Sequence, residues 1–140
     1  AVKGRDAAGT GTKLLAVTVL TSLSDADLSE IGYGFSARDL VERRVRQALD
    51  CGVDGVVSSP LEAARARSIA AEAGRPDFLI VTPGVRPEGA DKGDQQRVAT
   101  PRAALEAGAT HLVVARPVVG AENPMLAASA IVESIDGIGR

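Results

Sequence analysis

VTPGVRPEGADKGDQQR (residues 81–97) opens on apolar, β-branched residues and then breaks into a polar segment rich in Gly, Pro and Arg. A shorter echo, VVARP (residues 113–117), has the same form. An apolar run that stops so abruptly reads as the C-terminal end of a buried parallel strand, with a loop beyond it that holds a ligand. Arg86, Arg116 and the pair Gln95 and Gln96 supply fixed donors. Gly84, Gly89 and Gly93 let backbone N–H groups come close to an anion. Together these residues predict a phosphate site at the rim of an α/β structure.

The rest of the chain alternates in the same way. KLLAVTVLT (residues 13–21) is continuously apolar and reads as a strand buried on both faces, ending in the hydroxyls of Thr21 and Ser22. Ser24 starts a short helix that stops at Gly32, and Ser36 caps a longer one running to about Cys51. On the longer helix Leu40, Val41, Val45, Ala48 and Leu49 recur at helical spacing, with arginines mostly on the opposite, solvated face. GVDGVVSSP (residues 52–60) and GATHLVVARP (residues 108–117) share one design: Gly, a short apolar strand, then small or polar residues closed by Pro. Residues 60–73 read as a helix, DFLIVT (residues 77–82) as a strand, and Thr100 with Pro101 as the cap of another helix. Residues 123–135 close the chain as a helix.

This β-α-β-α-β-α-β-α order implies a parallel sheet in one domain spanning residues 1–140. Four units in 140 residues make half of an eight-unit barrel of about 250 residues, although a small doubly wound sheet fits the pattern alone. Hydrophobic residues are 45% of the chain but aromatics only 2%, so the core must be built from Val, Leu, Ile and Ala. A net charge of −2 offers no general nucleic-acid or membrane surface. The single cysteine, Cys51, cannot form an intrachain disulfide, and a reducing cytoplasm fits. No apolar run approaches the roughly 20 residues of a membrane span.

If the strands are the last four of a barrel, the loop after Thr82 and the corner at Ala115 and Arg116 are the two that build a phosphate site there. Arg86 and Arg116 would donate charge-assisted bonds, Gln95 a neutral one, and Ala115 and Arg116 their backbone N–H groups. His111, the only histidine, starts a strand on the face opposite this site and is read as a structural or surface residue. Asp91 and Asp94 are read as solvated loop carboxylates. There is no metal-ligand spacing, no Walker sequence and no nucleophile elbow. No catalytic acid, base or metal ligand stands out.

TPGVRPEGADKGDQQRVATP (residues 82–101) followed by AGATHLVVARPV (residues 107–118) closely resembles orotidine 5′-phosphate decarboxylase of the bacterial type. LLAVTVLTS (residues 14–22) and CGVDGVVSS (residues 51–59) resemble that family's fifth and sixth strands, so the likeness runs through nearly the whole chain from Lys13. The resemblance implies half of a (β/α)8 barrel, strands five to eight. It implies decarboxylation of orotidine 5′-monophosphate (OMP) to uridine 5′-monophosphate (UMP) without cofactor or metal, by a homodimer in its full-length form. By motif position, Arg86, Gln95 and Arg116 would hold the 5′-phosphate and Thr21 would bond the pyrimidine. Val85 would lie beside the base, and the loop spanning residues 85–98 would close over the substrate. The family usually has Gly where this chain has Ala115. Its Asp-x-Lys-x-x-Asp array, which supplies the protonating lysine, does not occur in these 140 residues. Two further readings stand beside it: a related phosphosugar barrel, such as a hexulose-phosphate synthase or ribulose-phosphate epimerase, and a non-catalytic half-barrel that binds or assembles.

Overall fold

A computed structural model describes residues 1–88 and 96–138. The elements are α1 (Val2–Ala8), β1 (Leu15–Val17), α2 (Asp25–Glu30), α3 (Ala37–Asp50), β2 (Gly55–Val57) and α4 (Ala63–Glu72). They continue with β3 (Leu79–Thr82), α5 (Pro101–Glu106), β4 (His111–Leu112), α6 (Arg116–Val119) and α7 (Pro124–Ser134). All three strand pairings are parallel and the spatial order is β1-β2-β3-β4, the order of the sequence. A doubly wound sheet reverses its strand order at a switch point, whereas a (β/α) barrel does not. The topology is therefore four consecutive units of a barrel.

Local chemistry sets the helix starts. Ser24 caps α2 in a reciprocal box with Asp27, and Ser36, Thr100 and Asn123 each accept a backbone N–H from the first turn of α3, α5 and α7. Pro101 and Pro124 stand inside the first turns, where a missing N–H costs nothing. Three details differ from the expectation. The strand expected over residues 13–21 pairs only over Leu15–Val17, the helix expected from residue 60 begins at Ala63, and the short α6 follows the Ala115 corner directly.

Strand alternation divides the sheet into two unlike faces. Val56 and Ile80 point toward the helices and are fully buried with Val41 and Val45 of α3 and Ala66, Ile69 and Ala70 of α4. The other face carries Leu15, Val17, Val57, Val81 and Val113. Of these, Leu15 is 40% exposed, Val17 57% and Val113 45%. The expectation that β1 is buried on both faces is thus corrected: the helices cover one side, and Leu15 and Val17 on the other remain exposed. In a closed barrel this would be the packed interior.

Gly55 sits on that uncovered face, in register with Leu15 and Leu79. A Cβ there would lie 2.4 Å from the Leu79 carbonyl oxygen and 2.5 Å from its Cβ, so no side chain fits without moving the strands apart. At the N-terminal end of the sheet, Asp54 accepts the Leu14 backbone N–H at 2.8 Å and pairs with Arg5 of α1 and with Lys13. The Leu14 N–H chiefly holds its carboxyl below the usual range, aided by Lys13 and Arg5 and opposed by burial.

Gly55→Ala should lower stability by about 1–3 kcal/mol, the usual cost of overpacking, as read from urea unfolding. Asp54 has a depressed pKa in the folded state, so its contribution is complete above the unfolded value of about 4 and is lost as the pH falls through the folded value. The stability difference between the parent and Asp54→Asn should shrink below that pH. A difference independent of pH would show that the carboxylate's charge is not what stabilises this end.

Candidate functional site

At the opposite, C-terminal ends of the strands lies a cleft of about 300 Å³, lined among others by Thr21, Ser58, Gly84, Arg86, Ala115 and Arg116. Its walls come from all four strand ends: Thr21 follows β1, Ser58 follows β2, Gly84 and Arg86 follow β3, and the Ala115 corner follows β4. Active sites of (β/α) barrels form at this end, because several loops converge there while the packed strands hold them.

The β3 loop is fixed at both of its ends. Beyond Thr82 the chain turns at Gly84, whose φ of +75° is a left-handed conformation that favours glycine. Val85 then bridges Ala99 in parallel, and the Arg86 N–H donates to the Ala99 carbonyl at 2.9 Å. The returning stem is tied to β1: the N–H groups of Gln96 and Arg97 both reach the Thr21 carbonyl, at 3.2 and 3.4 Å. Backbone hydrogen bonds of the two loop stems thereby help hold Arg86 and Thr21 across one cleft.

Arg86 is only 8% exposed, and its Nη1 donates to the Val85 carbonyl at 2.8 Å. Among the described residues no carboxylate lies within ion-pairing distance of it. A buried guanidinium is costly unless an anion or several carbonyls meet it, so such a group at the mouth of a cleft suits a bound anion. Arg116 lines the same cleft from the β4 corner.

The structure thus gathers Thr21, Arg86, Ala115 and Arg116 around one space. Val85 is placed differently: it is fully buried with Ala104 and Ala109 beneath α5 and does not line the cleft. Gln95, Asp91 and Asp94 lie outside the described residues. His111 is exposed at the start of β4, on the far end of the sheet. Lys13, 66% exposed beside Asp54, is at that far end too. Among the described residues no group of three or more His, Cys, Asp or Glu side chains is arranged to hold a metal, and no helix is long and apolar enough to cross a membrane.

Sequence reading missed three residues at this end. Ser58, Glu62 and Arg97 are buried polar side chains around the base of the loop. The only signal was position, since Arg97 ends the loop and Glu62 follows the closing Pro60.

The profile of the orotidine 5′-phosphate decarboxylase / HUMPS family matches residues 2–131. An orotidine 5′-phosphate decarboxylase of Caulobacter vibrioides is 65% identical over 138 residues, which is 99% of this chain and 58% of that protein. One from Rhodopseudomonas palustris is 58% identical over 125 residues, 89% of this chain and 52% of that protein. Among solved structures, the orotidine 5′-phosphate decarboxylase of Lactobacillus acidophilus superposes with a TM-score of 0.71 at 37% identity, over 91% of this chain and 51% of that one. That of Pyrococcus horikoshii, at 22% identity and a TM-score of 0.61, shares the fold over 90% of this chain and 52% of that one. The chain spans a little over half the length of the curated relatives it matches.

Ala115 has φ −111° and ψ −81°, a pair outside the main regions open to L-residues. Replacing it with Gly relieves that conformation while loosening the unfolded chain, so stability should change by less than about 1 kcal/mol and affinity for a phosphate ligand by less than about threefold. Calorimetric titration with UMP and thermal unfolding of the two proteins check the two halves of that expectation.

Proposed function

The chain belongs to the orotidine 5′-phosphate decarboxylase / HUMPS family, and from that membership we propose that it supplies the phosphate-binding half of an orotidine 5′-phosphate decarboxylase. The observation that carries this reading is the convergence of Arg86, Arg116 and Thr21 on one cleft at the C-terminal end of the sheet. Residues 1–140 act as one half-barrel unit, and the uncovered apolar sheet face is the surface that the remaining strands of a barrel would close.

In this reading the 5′-phosphate dianion of the substrate is met by the two guanidinium groups, with Gln95 as a further donor and backbone N–H groups at the Ala115 corner. The Thr21 hydroxyl lies where the pyrimidine would reach, and Val85 supports that wall from behind rather than touching the base. Phosphate contacts far from the reacting carbon stabilise the transition state when their energy is realised only in the closed, dry site. In the reaction itself the bond from C6 to the carboxylate breaks and carbon dioxide leaves. The electron pair remaining on C6 then takes a proton.

Among the described residues, no lysine lines this cleft to supply that proton. Lys13 stands at the opposite end of the sheet, Lys3 lies on α1, Lys92 lies outside the described residues, and no Asp-x-Lys-x-x-Asp sequence is present. In this reading the donor belongs to the strands that would complete the barrel, and this chain alone is inactive. We extend the reading to a cytoplasmic homodimer for the complete enzyme, on the strength of the family resemblance, and sedimentation of the full-length protein tests the assembly.

A hexulose-phosphate synthase is the competing assignment within the same family. Two observations favour the decarboxylase: the TPG-x-RP to GDQ spacing, and relatives of that name at 65% identity.

The protein carrying this chain at the full length of its relatives should decarboxylate OMP and should bind UMP in preference to ribulose 5-phosphate. Arg86→Ala should weaken UMP by about 10–150-fold, the worth of a hydrogen bond to a charged group, while leaving uridine affinity nearly unchanged. Full-length protein that shows no decarboxylation, yet turns over a pentose phosphate, would overturn the assignment.

A further inference from the structure

Arg97 makes the densest set of buried polar contacts at the base of the β3 loop. Its Nη1 lies 3.0 Å from Glu62 Oε1, with both side chains about nine-tenths buried at 10% and 11% exposure. Its Nη2 donates to the carbonyls of Leu20 at 2.9 Å and Val19 at 3.3 Å, beyond the paired part of β1. Its own N–H reaches the Thr21 carbonyl. One residue therefore joins three elements: the end of β1, the start of α4 and the returning stem of the loop.

The satisfaction of this cluster is incomplete. Among the described residues, Glu62 Oε2, Arg97 Nε and Nη1, and Ser58 Oγ are buried without a hydrogen-bond partner, and Nη1 approaches Glu62 only as a charge contact without hydrogen-bond alignment. Buried polar atoms without partners are expensive, and a half-satisfied ion pair is weaker for stability than a well-packed apolar contact of the same volume. A cluster with this cost is better explained by the geometry it enforces than by net stabilisation.

That geometry points at the phosphate cleft. Two residues after Arg97, Ala99 receives the Arg86 N–H, and its bridge to Val85 fixes where the buried guanidinium of Arg86 starts. On the other side, the Thr21 carbonyl is held by the Gln96 and Arg97 amides. We infer that Arg97, held by Glu62, is a positioning residue for phosphate recognition: it pins the returning stem of the β3 loop to the end of β1 and so sets the span between Arg86 and Thr21. The inference rests on the phosphate-binding reading above. Neither residue touches the ligand.

The test uses the protein carrying this chain at the full length of its relatives, with affinities for UMP and for uridine measured by calorimetry and folding checked by thermal unfolding. Arg97→Met keeps the length of the side chain without its charge and should weaken UMP by about tenfold, near the worth of one charge-assisted bond, with uridine within about twofold. Arg97→Lys keeps the charge beside Glu62 but loses the fork to the two carbonyls, and should fall between. Glu62→Gln should shift UMP in the same direction by less. These two milder variants carry the test if Arg97→Met does not fold. Equal weakening of UMP and uridine would show a general loosening and overturn the inference, as would unchanged UMP affinity. Parent protein that prefers UMP to uridine but does not decarboxylate OMP would overturn the functional assignment and leave this one standing. Decarboxylating protein whose variants keep the parental UMP-to-uridine ratio would do the reverse.

Discussion

A parallel strand needs cover on both faces, and in this chain helices provide it on one face only. Everything distinctive about the structure follows from that asymmetry. The sequential order β1-β2-β3-β4 places α3, α4 and α5 on the same side, so Val56 and Ile80 reach a dry core while Leu15, Val17 and Val113 remain open. A side chain at Gly55 would overlap Leu79 and Leu15 of the neighbouring strands, so glycine is what lets these strands pack in this register. Topology and exposure agree on a half-barrel, and the coverage of solved relatives is that of a half.

The same constraint explains the position of the cleft. Packed strands hold their C-terminal ends at one level, and loops leaving that level can carry donors that are distant in sequence. Thr21, Arg86 and Arg116 come from three different strand ends. The N-terminal end of the sheet has a different role. There Asp54 gathers a backbone N–H, Arg5 and Lys13, an arrangement that ties α1 to the strands.

Much of this was legible in the chain. Apolar runs ending in polar residues or Pro marked the strands, and Ser24, Ser36 and Thr100 marked helix starts, because cap chemistry is local. The arginines of the cleft were readable from their place just beyond apolar runs. The exposure of β1 was not, since a continuously apolar run shows that both faces want cover without showing whether the same chain provides it. Val85 was assigned to the base-facing wall by motif position, but the parallel bridge to Ala99 turns it beneath α5. Glu62 and Arg97 stand 35 positions apart, and nothing in their spacing announces that they meet. Contacts of that kind depend on where the loop returns, which only the assembled sheet decides.

The open edges of the sheet have a consequence for how such a chain behaves in company. At one side β4 is only two residues long and runs quickly into Pro117, which blunts it as a template for further strands. At the other side β1 offers unpaired backbone along Leu15–Val17, flanked by Lys13 as its nearest charge and adjoining the bare apolar face. Separated from the strand that would neighbour it in a closed barrel, that edge is the place where self-association would begin, and a single lysine or proline placed there would be the natural gatekeeper.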